Sequence, residues 1–148
     1  MPIEAKPLPR GYHSVNCYLQ VHNVAGLVEF LKQAFRATEK ERITDPDGRI
    51  RHAEVLIGDS VVMMGEASET WKARPATIYL YVDNVDAVFA SAVGAGAKSL
   101  SEPKDQFYGD RSGGVEDLCG NYWWIATHLE DVSNEDLAKR MQAASAAR

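Results

Sequence analysis

The sequence predicts an α+β fold of two tandem βαβββ modules followed by one more helix. Three observations lead to this prediction: an internal repeat, alternation of apolar residues in the candidate strands, and helical spacing of apolar residues after the first strand of each half. The repeat pairs Val21-His22-Asn23-Val24 with Val82-Asp83-Asn84-Val85, and Arg49, Glu54 and Gly58 with Arg111, Glu116 and Gly120.

The first module is predicted at residues 15–65. Its opening strand, residues 15–21, carries an apolar residue at every second position. Asn23 is a favourable residue for starting the helix that follows. The apolar residues of this helix are Val24, Leu27, Val28, Leu31 and Phe35. Strands at 38–44, 50–57 and 60–65 complete the module, and turn residues separate them.

The second module is predicted at residues 77–128 and repeats the plan. A strand at 77–82 leads to a helix that starts after Asn84, and glycines at 94 and 96 end it. A looser stretch at 98–108 precedes strands at 111–118 and 121–128. Beyond this module, Ser133 is a candidate cap for a helix at 133–144, which we expect to cover a sheet edge.

The composition argues against several kinds of partner. The 148 residues include 16 Lys and Arg against 21 Asp and Glu, a net charge of −5. Such a charge repels nucleic acid and anionic lipid, so we expect neither partner. Cys17 and Cys119 are the only cysteines, which indicates neither a disulfide framework nor a cysteine-rich zinc site. With no secretion-signal pattern, a cytoplasmic location is expected.

The doubled modules, the segment Phe107-Tyr108-Gly109-Asp110-Arg111 and the ending Asp117-Leu118-Cys119-Gly120-Asn121 together resemble the glyoxalase, bleomycin resistance and dioxygenase (vicinal oxygen chelate) superfamily. Within it, the signature Tyr108-Gly109-Asp110-Arg111 and the segment at 126–132 are similar to a branch of small bacterial proteins related to the phosphonate-operon B protein. The resemblance implies one glyoxalase-like domain over residues 1–148, with curled mixed sheets around a cleft. It also implies a homodimer, and in the enzymes a divalent metal held by His, Gln or Glu.

The family's metal positions do not carry suitable donors in this sequence. Its spacing places them at Asn16, Thr77, Trp124 and Val62, with Met64 two residues beyond Val62. A divalent catalytic metal needs about three imidazole or carboxylate donors. We therefore expect no metal at the standard position and no cofactor.

Strand alternation predicts instead an aromatic, uncharged face. Asn16, Tyr18 and Gln20 share one face, as do Thr77, Tyr79 and Tyr81, and then Tyr122, Trp124 and Ala126. The opposite faces, which include Trp123, are expected to pack under the helices. Aromatic rings in a concave cleft bind planar or cationic ligands. The alternative is that these rings only fill the space between two sheets.

Other polar residues give further candidates. His52 and Glu54 alternate onto one face, and Glu116 is the repeat counterpart of Glu54, so these groups could bind a metal in a non-standard site or act as acid and base. The favoured alternative is that they are solvated or ion-paired groups on a sheet, with Arg49 and Arg51 as partners. Tyr108, Asp110 and Arg111 could form a loop at the cleft mouth, where Arg111 could hold an anionic group, although a turn network of Asp110 with Arg111 that fixes the strand entry is the favoured explanation. No role is assigned to His13, His22 or His128.

Three hypotheses of function follow. The first is metal-independent binding or sequestration of a small, partly aromatic molecule. The second is a metal-dependent lyase, isomerase or dioxygenase with a non-standard site, and the third is a structural or regulatory dimer with a filled cleft. Whether the protein is an enzyme is left open. The predicted ligand-binding residues are Tyr18, Gln20, His52, Glu54, Tyr79, Tyr81, Tyr108, Arg111 and Trp124.

Overall fold

A computed structural model describes residues 4–146. The first half contains β1 (Cys17–Val21), α1 (Val24–Phe35), β2 (Thr38–Thr44), β3 (Ile50–Ile57) and β4 (Ser60–Glu66). The second contains β5 (Thr77–Tyr81), α2 (Val85–Gly94), β6 (Lys98–Asp105), β7 (Asp110–Glu116) and β8 (Tyr122–His128), and α3 (Asn134–Ala146) follows. The predicted α+β architecture of two βαβββ modules and a C-terminal helix is confirmed.

Each half folds into one open, four-stranded mixed sheet. The strand order is β1-β4-β3-β2 in the first sheet and β5-β8-β7-β6 in the second. The opening strand of each module pairs in parallel with the last strand, and the remaining pairs are antiparallel. The first and last strands of a module are therefore neighbours, which brings residues distant in sequence onto one surface.

A helix covers one face of each sheet. In the first unit, α1 buries Leu27, Val28 and Leu31 against the sheet, where Leu19 and Met64 are also buried. In the second unit, α2 packs against β6, β7 and β8, and Trp123 is buried as predicted. We call the opposite face of each sheet, turned away from α1 or α2, its distal face.

Asparagine starts both helices, as the repeat predicts. The side chain of Asn23 accepts a hydrogen bond from the Gly26 backbone N–H, and that of Asn84 accepts one from Ala87. Their backbones differ, because Asn23 has a φ of 74° and Asn84 has an extended φ of −133°. Asparagine tolerates the left-handed region better than most residues.

Two parts of the second half differ from the sequence expectation. The stretch at 98–108 contains a true strand, β6, whose pairing with β7 shifts register twice. These irregularities break the alternation by which strands are recognised. Helix α3 has no buried residue, so the expectation that it covers a sheet edge is wrong. Arg140 instead connects it to the Phe107 carbonyl oxygen and to Glu130.

The chain divides into two compact units, the first ending at Ala76 and the second beginning at Thr77. Every contact discussed below lies within one unit. Between residues 4 and 146 there is no helix with the length and apolar character that crossing a membrane requires.

Candidate functional site

The distal face of the first unit brings predicted site residues together. Pairing of β1, β4 and β3 places Tyr18 and Glu54 on either side of Met63. The same pairing places Gln20 and His52 on either side of Gly65. Directly paired residues in a sheet point to the same face. Tyr18, Gln20, His52 and Glu54 therefore share the surface that alternation predicted for Tyr18 and Gln20.

Glu54 is the centre of this group. It is only 5% exposed, and its two oxygens accept hydrogen bonds from different partners. Tyr12 donates its hydroxyl to Oε1, and His52 Nε2 lies 2.8 Å from Oε2. Burial disfavours the charged form of Glu54, but the hydrogen bonds from Tyr12 and His52 outweigh burial and lower its pKa. Glu54 is thus held as a carboxylate.

The other nitrogen of His52 faces Tyr18. The Tyr18 hydroxyl lies 3.3 Å from Nδ1, and the two ring centroids are 5.7 Å apart. Gly65 makes room for this arrangement, since a Cβ there would lie 2.5 Å from the Tyr18 hydroxyl oxygen. An ionised carboxylate only accepts hydrogen bonds, so His52 donates from Nε2–H, and in the neutral imidazole Nδ1 then accepts from Tyr18.

Sequence reasoning missed Tyr12 and Lys40. Tyr12 lies in the irregular segment before β1, where no periodicity indicates its position. Lys40 Nζ is 3.2 Å from the Tyr12 hydroxyl and 4.2 Å from the centre of its ring. The hydrogen bond to Glu54 raises the pKa of Tyr12, so Tyr12 stays a donor. These two residues complete the surroundings of Glu54.

The distal face of the second unit is built around a different carboxylate, Asp110. This residue is 3% exposed. Its Oδ2 accepts the hydroxyls of Tyr79 at 2.7 Å and Tyr81 at 2.9 Å, and its Oδ1 lies 2.7 Å from His128 Nδ1. Burial opposes ionisation of Asp110, but hydrogen bonds from His128, Tyr79 and Tyr81 lower its pKa.

His128, to which the sequence assigned no role, bridges two carboxylates. Its Nε2 lies 2.7 Å from Asp131 Oδ1, while Nδ1 faces Asp110. Because carboxylates accept and do not donate, both ring nitrogens carry hydrogen and the ring is an imidazolium. Hydrogen bonds to Asp110 and Asp131 accordingly raise the pKa of His128. The only signal in the sequence was an aspartate three residues after a histidine at a strand end.

Four aromatic residues lie at the distal face of the second unit, and we call them the aromatic cluster: Tyr79, Tyr81, Tyr108 and Trp124. The rings of Tyr79 and Tyr81 are 5.2 Å apart. The Tyr108 hydroxyl is 3.3 Å from Ser112 Oγ. The Trp124 indole lies over Gly114, where a Cβ would come within 2.5 Å of the ring. Burial and the Asp110 hydrogen bond raise the pKa of Tyr79, so its hydroxyl stays protonated.

Three candidate residues have other partners, although Gln20 shares the distal face with His52. Arg111 points to the helix side, where it contacts both carboxylate oxygens of Asp86 and lies 3.1 Å from Asp105. The hydrogen bond to Asp86 and, to a smaller extent, the one to Asp105 raise the pKa of Arg111. Gln20 donates to the Glu66 carbonyl oxygen at 3.3 Å. Glu116 belongs to the second unit, in register with Tyr122 and Lys98.

The donors present in either unit do not fit the metal that the superfamily implies. The register expected for β4 is wrong by one residue, because Val62 and Met64 pair with Cys17 and Leu19 on the helix side. The distal positions of β4 are Val61, Met63 and Gly65, which supply no carboxylate or imidazole. His52 and His128 each use both ring nitrogens in hydrogen bonds. Within residues 4–146, no three His, Cys, Asp or Glu side chains form a metal-like group.

An open depression in the first unit lies away from these residues. It has a volume of about 490 Å³ and is lined by His22, Asn23, Ala25, Arg42, Gly48, Arg49, Ile50 and Glu66. The Glu66 carboxylate accepts the backbone N–H groups of Asn23 and Val24 at 2.9 and 3.1 Å. Glu66 therefore caps α1, and the depression has a structural explanation.

Comparison with known proteins gives a consistent family match. The profile of the Glyoxalase/Bleomycin resistance protein/Dioxygenase superfamily matches residues 12–125. An uncharacterized protein of Mycobacterium bovis, Mb0911c, is 31% identical over 137 residues, which are 85% of this chain and 90% of that protein. Rv0887c of Mycobacterium tuberculosis is also 31% identical, over 85% of this chain and 81% of its own.

Solved structures match in fold. TioX from Micromonospora sp. ML1 has a TM-score of 0.65 at 24% identity, covering 78% of this chain and 100% of its own. The fosfomycin resistance protein FosX from Listeria monocytogenes has a TM-score of 0.60 at 16% identity, covering 84% and 97%. At these identities the likeness concerns the fold alone.

Proposed function

The chain belongs to the Glyoxalase/Bleomycin resistance protein/Dioxygenase superfamily, and from this premise we propose that it binds and sequesters a small, partly aromatic molecule without a metal. The ligand contacts the distal face of the second unit, where the aromatic cluster lies. We also propose that it acts in the cytoplasm and falls in the branch similar to the phosphonate-operon B protein.

The aromatic cluster is the observation that carries this proposal. Tyr81 is 60% exposed, and Tyr79 and Tyr108 are also exposed, although all three are large rings that could otherwise be buried. Hydrogen bonds to Asp110 fix the hydroxyls of Tyr79 and Tyr81, so their rings are held in place before a ligand arrives. Fixed aromatic rings give large contact area at a low cost in conformational entropy.

A further observation supports sequestration over metal chemistry. The histidines on the distal faces are already committed to carboxylates and Tyr18, so they do not offer free donors. The metal-dependent lyase, isomerase or dioxygenase and the dimer with a filled cleft remain the rival hypotheses.

A thermal-shift screen of antibiotics and aromatic metabolites tests the binding function. We expect at least one compound to raise the Tm, and Trp124→Leu to weaken its binding at least tenfold. The matched control is Trp71→Leu, because Trp71 is 71% exposed and lies between β4 and β5, outside both sheets. Titrations followed by tryptophan fluorescence give the dissociation constants.

Metal independence is tested on the same protein. We expect ligand affinity to be unchanged by a chelator, and elemental analysis to find no stoichiometric divalent metal. A metal lost on Glu54→Gln would instead support the second hypothesis. Failure of the whole panel to raise the Tm would contradict the binding function and favour the third.

A further inference from the structure

The first unit carries a second arrangement, around His52, that sequestration does not require. Tyr18, His52 and Glu54 form a continuous line of hydrogen bonds across the distal face of β1 and β3. Glu54 is buried, whereas Tyr18 is 51% exposed, so the line runs from the interior to an accessible hydroxyl. A ring that only filled space would not need a buried carboxylate behind it.

We propose that Tyr18, His52 and Glu54 form a general-base site that removes an acidic proton next to the carbonyl of a neutral aromatic ketone. The inference rests on the proposed binding of small aromatic molecules and adds a reaction, keto–enol interconversion, to it. Tyr18 and His52 are the catalytic residues, and Glu54 is a positioning residue.

The geometry gives each residue a distinct task. Glu54 accepts from Nε2–H and so leaves Nδ1 as the basic nitrogen. The Tyr18 hydroxyl, 3.3 Å from Nδ1, makes a long hydrogen bond that a carbonyl oxygen can replace. Tyr12 and Lys40 hold the other side of Glu54, so its carboxylate remains in place while His52 changes protonation.

The reaction step balances without a further reactant. The C–H bond beside the carbonyl breaks and its proton moves to His52 Nδ1, while its electron pair forms the C=C bond of an enolate. The enolate oxygen accepts the Tyr18 hydroxyl hydrogen bond, and Glu54 stabilises the imidazolium. In D₂O the proton on Nδ1 exchanges with solvent deuterium, and transfer of that deuterium to carbon regenerates the ketone in labelled form.

The negative charge of the protein and the apolar surface beside His52 indicate which class of substrate this site would accept. Glu54 is held as a carboxylate behind this site, and the net charge of the chain is −5, so anionic substrates are disfavoured. The exposed Tyr18 ring and Met63 offer an apolar surface to a planar ring. A neutral aromatic ketone with acidic benzylic hydrogens satisfies both conditions.

The experiment uses 2-indanone in D₂O with the full-length protein, and NMR follows deuterium replacing the methylene hydrogens. We expect wild type to exceed the buffer rate by at least tenfold, and His52→Gln to abolish that excess. Tyr18→Phe should reduce the rate by at least tenfold, since general acid–base groups contribute on the order of 10²–10⁴. His13→Gln, a change at an exposed histidine without a proposed role, is the matched control.

Two readouts separate catalysis from folding. Imidazole added to His52→Ala should restore part of the exchange, which a purely structural histidine would not allow. Glu54→Gln should lower kcat with KM unchanged, while its Tm shows that the variant is folded.

Binding of 2-indanone with exchange only at the buffer rate would overturn this inference and leave the binding function intact. Absence of 2-indanone binding would also overturn it, whereas the binding function is judged by the compound panel.

Discussion

Each unit places a buried carboxylate on its distal face and bonds it to one histidine and to one or two tyrosines. Glu54 and Asp110 perform this task, yet they are not repeat counterparts: the counterpart of Glu54 is Glu116. In both units the carboxylate accepts hydrogen bonds that hold the tyrosine hydroxyls and the imidazole ring in place. The same local chemistry has therefore arisen at two different strand positions.

His128 gives a prediction about pH. Hydrogen bonds to Asp110 and, to a smaller extent, Asp131 raise the pKa of His128 in the folded state. The stabilisation from the imidazolium is therefore complete below the pKa of the unfolded chain, about 6.5. It is lost as the pH rises through the higher pKa of the folded state. Wild type should exceed His128→Gln in Tm most at about pH 6, and the difference should narrow toward about pH 9.

Thermal unfolding across this pH range, with His13→Gln as the control histidine variant, provides the measurement. His13→Gln should keep the pH dependence of wild type. A Tm difference between wild type and His128→Gln that stays constant over the range would contradict the imidazolium bridge.

At the scale of elements, the spacing of apolar residues located most helices and strands, because burying one face of an element requires apolar residues at regular positions. Strands β2 and β3 were predicted with the bounds that the structure has, and the apolar residues predicted for α1 begin and end where the helix does. Strand β6 was missed where its register shifts, and the face of β4 was inverted because a one-residue slip exchanges the two sides of a strand. Tyr12 reaches Glu54 from an irregular segment, and no local pattern predicts such a contact.

The two helix caps differ in a way that stability measurements can detect. Asn84→Ala removes the acceptor for the Ala87 N–H and should cost about 0.5–2 kcal/mol. Asn23→Ala removes the equivalent bond and also places alanine at a φ of 74°, which adds roughly 1–2 kcal/mol. Asn23→Gly, which relieves the backbone, should cost only a few tenths of a kcal/mol.

Chemical denaturation of the three cap variants gives these differences. The expected order of stability is Asn23→Gly, then Asn84→Ala, then Asn23→Ala. Equal losses for the two alanine variants would show that the left-handed backbone at Asn23 adds no strain.

At the scale of the molecule, the assignment of residues 1–148 to one glyoxalase-like domain stays a prediction. Each unit has its own helix, sheet and buried core. Units of this size bury a modest share of their surface and are marginally stable alone. The distal faces also expose large rings, among them Tyr18, Tyr79 and Tyr81.

A homodimer would bury more of the surface of these small units and could cover exposed rings. We therefore predict that the protein is a homodimer in solution. Exposed apolar patches of this kind mark association or ligand sites, and association makes the Tm depend on protein concentration. Sedimentation equilibrium should give twice the chain mass, and a tenfold rise in concentration should raise the Tm. A single-chain mass with a Tm independent of concentration would contradict the dimer, and the exposed rings would then be explained by ligand binding alone.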